Sequence, residues 1–248
     1  MKTSFKFLFL IFAILLFQRC QKNPVDLEES HIPPEQPNLL AIQTIDVEVA
    51  SVMDTTLSQD ANAKQGGIYA AIVRDIIFTN PFIGIPLLAT AAMPVQHPQA
   101  GVWIWQKQIF QAQHELKAIW DGDSGYDWNY VWKGGLYQNY LALEGHTDIL
   151  GLNGTYTLYY NDFEHSIYGV KEWSVEPSHS LTINWVRYPY QPLNVPKRVY
   201  LGHFFYDKSG DLTFWENDNK RFYITWNSDD TGYWEIWLIN GNHIQGTF

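Results

Sequence analysis

Beyond Pro98 the chain gives up helical spacing for short runs of alternating side chains, and the aromatic residues crowd into the same stretch. All 11 tryptophans and 14 of the 15 tyrosines lie after residue 100. Turn-forming clusters punctuate these runs: Asp121 to Gly125, Gly134-Gly135, Asn153-Gly154, Asn161-Asp162, Lys208 to Gly210, Asn217 to Asn219, Ser228 to Gly232 and Asn240-Gly241. Counting runs predicts about ten to twelve strands joined by hairpin-length loops. The expected fold is mainly β, an antiparallel meander closed as a barrel or folded as a sandwich, preceded by a short helical segment.

Period-two alternation sorts the side chains by face. Phe222, Ile224 and Trp226 oppose Tyr223, Thr225 and Asn227; Trp234, Ile236 and Leu238 oppose Tyr233, Glu235, Trp237 and Ile239; Leu181, Ile183 and Trp185 oppose Thr182, Asn184 and Val186. The first face of each is core. The second carries Tyr, Thr, Asn and Trp where a solvated face carries Lys and Glu. Cross-strand packing explains such a face, since aromatic and β-branched residues favour pleated surfaces. So does binding, because rings edged by amides suit a sugar or an amphipathic molecule. The candidate binding residues are Trp103, Trp105, Trp215, Tyr223, Tyr233 and Trp237. A membrane barrel is set aside because its strands need about 9–11 residues and most of these runs hold about six to eight between turns.

A repeat runs through the meander. Gly210, Phe214, Trp215 and Asp218 recur as Gly232, Ile236, Trp237 and Asn240, and Gly154, Leu158, Tyr159 and Asp162 match the same template. Near its start, Gly101-Val-Trp103 resembles the Gly-x-Trp motif that opens the lipocalin group. That likeness implies a ligand-carrying barrel.

Ahead of the meander, residues 1–19 have the layout of an export signal: Lys2 and Lys6, then an uncharged run from Phe7 to Phe17 too short for a stable membrane span. Cys20, the only cysteine, follows at once. This layout resembles a bacterial lipoprotein signal, which implies lipidation of Cys20 and a lipid-anchored place in the cell envelope, at the outer membrane or on its periplasmic side. Cleavage there removes Lys2, Lys6 and Arg19 and takes the net charge from −10 to −13. Residues 20–38, with four prolines and four acids, form an extended solvated tether. Residues 39–98 are helical and apolar, with Ile76 to Met93 buried against the β domain that occupies 99–248.

The acidic balance, 26 Asp and Glu against 16 Lys and Arg, has the wrong sign for a phosphate backbone, so nucleic acid is not an expected partner. Asp121, Asp123 and Asp127 have the spacing of some calcium loops, but Trp132 stands where the final carboxylate belongs, and a polar turn is the better reading. No histidine pair has the spacing of a one-helix zinc site; His114 and His203 fall on strands and can meet only in space, and His203, in phase with Val199 and Leu201, reads as a core residue. No Gly-x-Ser-x-Gly or phosphate-cradling glycine loop is present. Glu144, Glu172, Glu216 and Glu235 are the carboxylates a sugar hydrolase would draw on. The expectation is a non-enzymatic module, without a cofactor, binding an amphipathic small molecule or a glycan. Its rivals are an envelope hydrolase acting on sugars and a structural envelope component.

Overall fold

The computed structural model describes residues 36–37, 86–87, 89–162, 164–190, 192, 194–229 and 231–247. The export signal, Cys20, most of the tether and the helical stretch before Pro86 lie outside them.

Thirteen strands follow one another in a single antiparallel sheet whose spatial order is the sequence order. They are β1 (Gln96–Gln99), β2 (Val102–Ile109), β3 (Ala112–Trp120), β4 (Gly125–Gly134), β5 (Tyr137–Asp148), β6 (Asn153–Tyr159), β7 (Ile167–Val175), β8 (Leu181–Arg187), β9 (Arg198–Phe204), β10 (Gly210–Glu216), β11 (Asn219–Trp226), β12 (Gly232–Trp237) and β13 (His243–Thr247). The antiparallel meander is as the alternation implied, with one strand more than the ten to twelve counted and a start at Gln96 rather than at residue 99; of the expected turns, Asn153-Gly154 instead begins β6, the chain reversing over residues 149–152. The first and last strands do not pair, so the sheet is open rather than closed as a barrel. A helical turn over residues 89–91 precedes it. There Leu87 and Ala91 pack on the core and Thr90, fully buried, donates its hydroxyl to the Pro86 carbonyl at 2.8 Å.

One face of the sheet holds the core. Leu116, Ala118, Tyr130, Ala142 and Ile183 have no solvent exposure at all. A register row crosses this inner face through Trp128, Gly145, Tyr156, Lys171, Trp185, Tyr200, Phe214, Phe222 and Ile236. Neighbouring rings in it touch: Trp185 and Tyr200 have centroids 5.4 Å apart, and Tyr200 stacks on Phe214 at 4.9 Å. Such contacts add to the burial of large apolar area. Lys171 is the one cation in the row.

Glycines explain how so many indoles fit. Gly154 faces Trp173, Gly210 faces Trp226 and Gly246 faces Trp234 across adjacent strands. A Cβ on any of the three would come within 2.6 Å of the facing ring. The indole lies over the bare glycine backbone and covers it, a pairing that also pins register. Gly154 and Gly210, two of the three glycines of the sequence repeat, are covered in this way; in β6, β10 and β12 Leu158, Phe214 or Ile236 points into the core four residues after the glycine, and Tyr159, Trp215 or Trp237 follows on the outer face.

Candidate functional site

The six aromatic residues singled out in the sequence divide between the two faces. Trp103 and Trp105 are buried core residues, 4% and 3% exposed, with Trp103 edge-on to Tyr126 and Trp105 stacked near Trp128. They are not part of an outer binding surface. Trp215, Tyr223, Tyr233 and Trp237 do share the outer face, on three successive strands.

Tyr223, Tyr233 and Trp237 flank Glu235 there, and Trp215 stands opposite Lys220. Tyr233 points its hydroxyl at Glu235 Oε1, 2.7 Å away, with Gln245 Oε1 at 2.9 Å. The bond to Glu235 pushes the phenol up to about 12. Lys220 reaches Glu235 at 3.4 Å, and its ammonium lies 4.4 Å from the Tyr223 ring and 4.5 Å from the Trp237 ring. His243 stacks on Trp237 at 4.8 Å. These rings are engaged with their own neighbours, each cation–π contact being worth about 0.5–1 kcal/mol at an exposed site. The cross-strand packing account of this face therefore has direct geometric content.

The opposite side of the same strands offers more room. A groove of about 520 Å³ opens at the end of the core face marked by the β10–β11 and β12–β13 turns. Phe214, Phe222 and Ile236 form its floor, Leu238 and Ile239 its lip, and Glu216 and Arg221 its polar side. The lip is solvent-facing, with Ile239 87% exposed. Small-molecule sites commonly occupy about 300–1,000 Å³, mostly apolar with a few placed polar groups.

Arg221 reaches this side because of a β-bulge. Phe214 pairs with Phe222 but Trp215 pairs with Lys220, which leaves Arg221 as the extra residue. Strict alternation would put it outward beside Tyr223; instead its Nε stands 4.0 Å from Glu216 Oε2. Glu216 also accepts from Arg198, whose Nε and Nη2 are each 3.2 Å from Oε1. Sequence reasoning missed the arginines. Arg187 and Arg198 were legible from their phase with Trp185 and Tyr200, but no pattern announced the bulge.

The other candidates do not assemble. The Asp121 side chain is spent on its own turn: Oδ1 accepts the amides of Asp123, Ser124 and Gly125 at 2.8, 2.9 and 3.1 Å, and Oδ2 takes the Ser124 hydroxyl at 2.7 Å. Desolvation opposes ionisation there, yet these donors hold the carboxyl well below the usual carboxylate range. Asp127 turns instead to His146 Nδ1 at 3.0 Å. Among the described residues no group of three or more His, Cys, Asp or Glu is placed to hold a metal, so the calcium candidate formed by Asp121, Asp123 and Asp127 is replaced by a capped hairpin turn. Asp121→Ala is expected to cost about 1–2 kcal/mol by orphaning the turn amides. That loss should be seen in the denaturation midpoint at neutral pH. Because the folded-state carboxyl titrates below its unfolded value, the wild-type advantage is full above about pH 4 and shrinks as pH falls below it.

His114 and His203 lie on opposite faces. His114 is buried, bonded to the Tyr130 hydroxyl at 2.7 Å, with its pKa lowered by desolvation. His203 belongs to the outer face, not the core: Tyr200, Gly202 and Phe204 are the inward residues of β9, and His203 Nδ1 meets Asp211 at 2.9 Å. Its phase with Val199 and Leu201 was read correctly, but those residues also face outward. The four glutamates are likewise dispersed. Glu144 is held by the Tyr159 hydroxyl on β6, Glu172 by Asn184 on β8, Glu216 by the arginines of the groove, and Glu235 lies on the opposite face from Glu216. No two of them share a cleft.

No protein-family model matches the chain, and no curated protein shows significant similarity to it, so its functional reading rests on its own residues.

Proposed function

We propose that the β domain is a non-enzymatic binding module for a small amphipathic molecule, and that the groove at the end of β10–β12 receives it. The observation that carries this reading is the juxtaposition of an apolar floor with a polar side in one opening of ligand size. The glycan alternative draws on the outer aromatics, whose rings are already engaged by Lys220 and His243. We place the domain in the cell envelope, held by a lipid on Cys20, on the strength of the signal-like residues 1–19 alone. Mass spectrometry of the mature N-terminus tests that address, and an unmodified Cys20 would end it.

For the groove, isothermal titration with single-chain amphiphiles of eight to fourteen carbons is the direct test. Saturable one-to-one binding should tighten by about 0.8 kcal/mol, roughly fourfold, for each CH₂ buried, until the groove is filled. Heats that do not saturate, or affinities indifferent to chain length, would remove this reading.

A further inference from the structure

Three arginines stand against one carboxylate beside the groove: Arg221 and Glu216 line it, and Arg198 and Arg187 follow Glu216 along the register row. Arg187 and Arg198 stand directly opposite one another on the inner side of β8 and β9, an arrangement that is unfavourable without a counter-ion. Next in that row comes Glu216, the one carboxylate of the group, which Arg198 and Arg221 share. Arg187 has the Tyr168 ring 4.7 Å from its guanidinium carbon, and its Nε is buried without a hydrogen bond. Arg221 Nε is buried and unbonded too. A guanidinium presents five donors in a fixed fork suited to carboxylate or phosphate oxygens, so a surplus of guanidinium groups around Glu216, with Arg221 lining the apolar groove, favours an anionic group there.

We infer that the amphiphile is anionic, with its carboxylate or phosphate head bound between Arg198 and Arg221 beside Glu216 and its chain laid over Phe214, Phe222 and Ile236. The inference rests on the proposed binding function and adds the chemical class of the ligand. The whole chain's net charge of −10 makes a local cationic mouth the more selective, since an anion finds few other places to settle.

The test compares three dodecyl ligands on the intact protein: laurate, dodecyl phosphate and the uncharged monolaurin. Both anions should bind more tightly than monolaurin. Arg221→Gln should weaken them about ten- to a hundredfold and leave monolaurin unchanged. Glu216→Gln should act in the opposite direction, tightening the anions by freeing both arginines. If Arg221→Gln does not fold, the salt dependence of wild-type binding replaces it: laurate affinity should fall with added salt and monolaurin affinity should not. Selectivity for laurate over dodecyl phosphate, or the reverse, identifies which head group the site was built for. Equal binding of charged and uncharged ligands, unmoved by Arg221→Gln, would overturn the anion inference while leaving the groove as a binding site. Failure of all three ligands to bind would overturn both.

Discussion

Lys171→Met is expected to stabilise the protein at pH 7 by about 1–3 kcal/mol and to flatten its stability profile on the alkaline side. Lys171 stands in the inner-face row between Tyr156 and Trp185, and burial pushes its ammonium down to about 8. A free lysine titrates near 10.4, so between those values the unfolded chain holds the proton and the folded one does not. Stability therefore rises as pH increases through that window, and the penalty for burying the charge is full below pH 8. A shift of this size corresponds to roughly 3 kcal/mol as an upper bound. Methionine keeps the volume and the unbranched shape while removing the charge. Urea denaturation at pH 7 and pH 10 checks it: the wild type should gain stability between the two and the variant should not. A variant less stable than the wild type at pH 7 would mean that the lysine is held by a partner of opposite charge.

The second large effect concerns the tryptophan over glycine pairs. Trp226→Ala should cost about 3–5 kcal/mol, the usual range for a fully buried large aromatic. Trp226 is 1% exposed and its indole N–H donates to the Lys208 carbonyl at 2.7 Å, which adds a lost bond to the lost area. Gly210→Ala attacks the same contact from below, because the new Cβ would lie 2.5 Å from the Trp226 ring and 2.5 Å from the His203 carbonyl oxygen. Overpacking of that kind costs about 1–3 kcal/mol. The two should not add. In the Trp226→Ala background part of the clash is gone, so Gly210→Ala should be cheaper there by about 0.5 kcal/mol or more. Strict additivity in a double-mutant cycle would show that the indole does not cover the glycine.

The pairing also bears on what could be read from the sequence. Most turns and the alternation of faces were legible because alternation and Asn/Gly/Asp clusters are local signals: Phe222, Ile224 and Trp226 were inward by spacing alone, while the count fell one strand short and Asn153-Gly154 belongs to β6. The repeated glycines were visible as well, but why Gly154 and Gly210 must be glycine needed the neighbouring strand, since Gly154 is matched to Trp173 and Gly210 to Trp226 across a register. Alternation gives two faces without saying which is dry when both are aromatic. That is why Trp103 and Trp105 were grouped with Trp215 and Trp237, and why His203 was assigned inward.

The groove was the least legible feature. Phe222 and Ile236 of its floor are core by alternation, as the structure shows; that Phe214, Phe222 and Ile236 also line an opening depends on where the strands end. Arg221 is the one extra residue between Lys220 and Phe222, and a bulge of that kind reverses a side chain without disturbing the apolar pattern on either side. Glu216 was noticed as a carboxylate for hydrolysis. Its neighbours make it instead the hydrogen-bond acceptor of Arg198 and the ion-pair partner of Arg221.

The most direct measurement of the central claim is a titration of the labelled protein with laurate, followed by the indole N–H signals of its tryptophans in two-dimensional NMR. Trp237 ends β12 and reaches the rim of the groove although its ring stacks on His243 on the outer face, while Trp103, Trp105 and Trp128 are buried far along the sheet in β2 and β4. Saturable shifts of Trp237, together with the methyls of Ile236 and Leu238, and little change in Trp103, Trp105 and Trp128, are expected. Shifts absent from Trp237 and Ile236, or confined to the β2–β4 tryptophans, would contradict it.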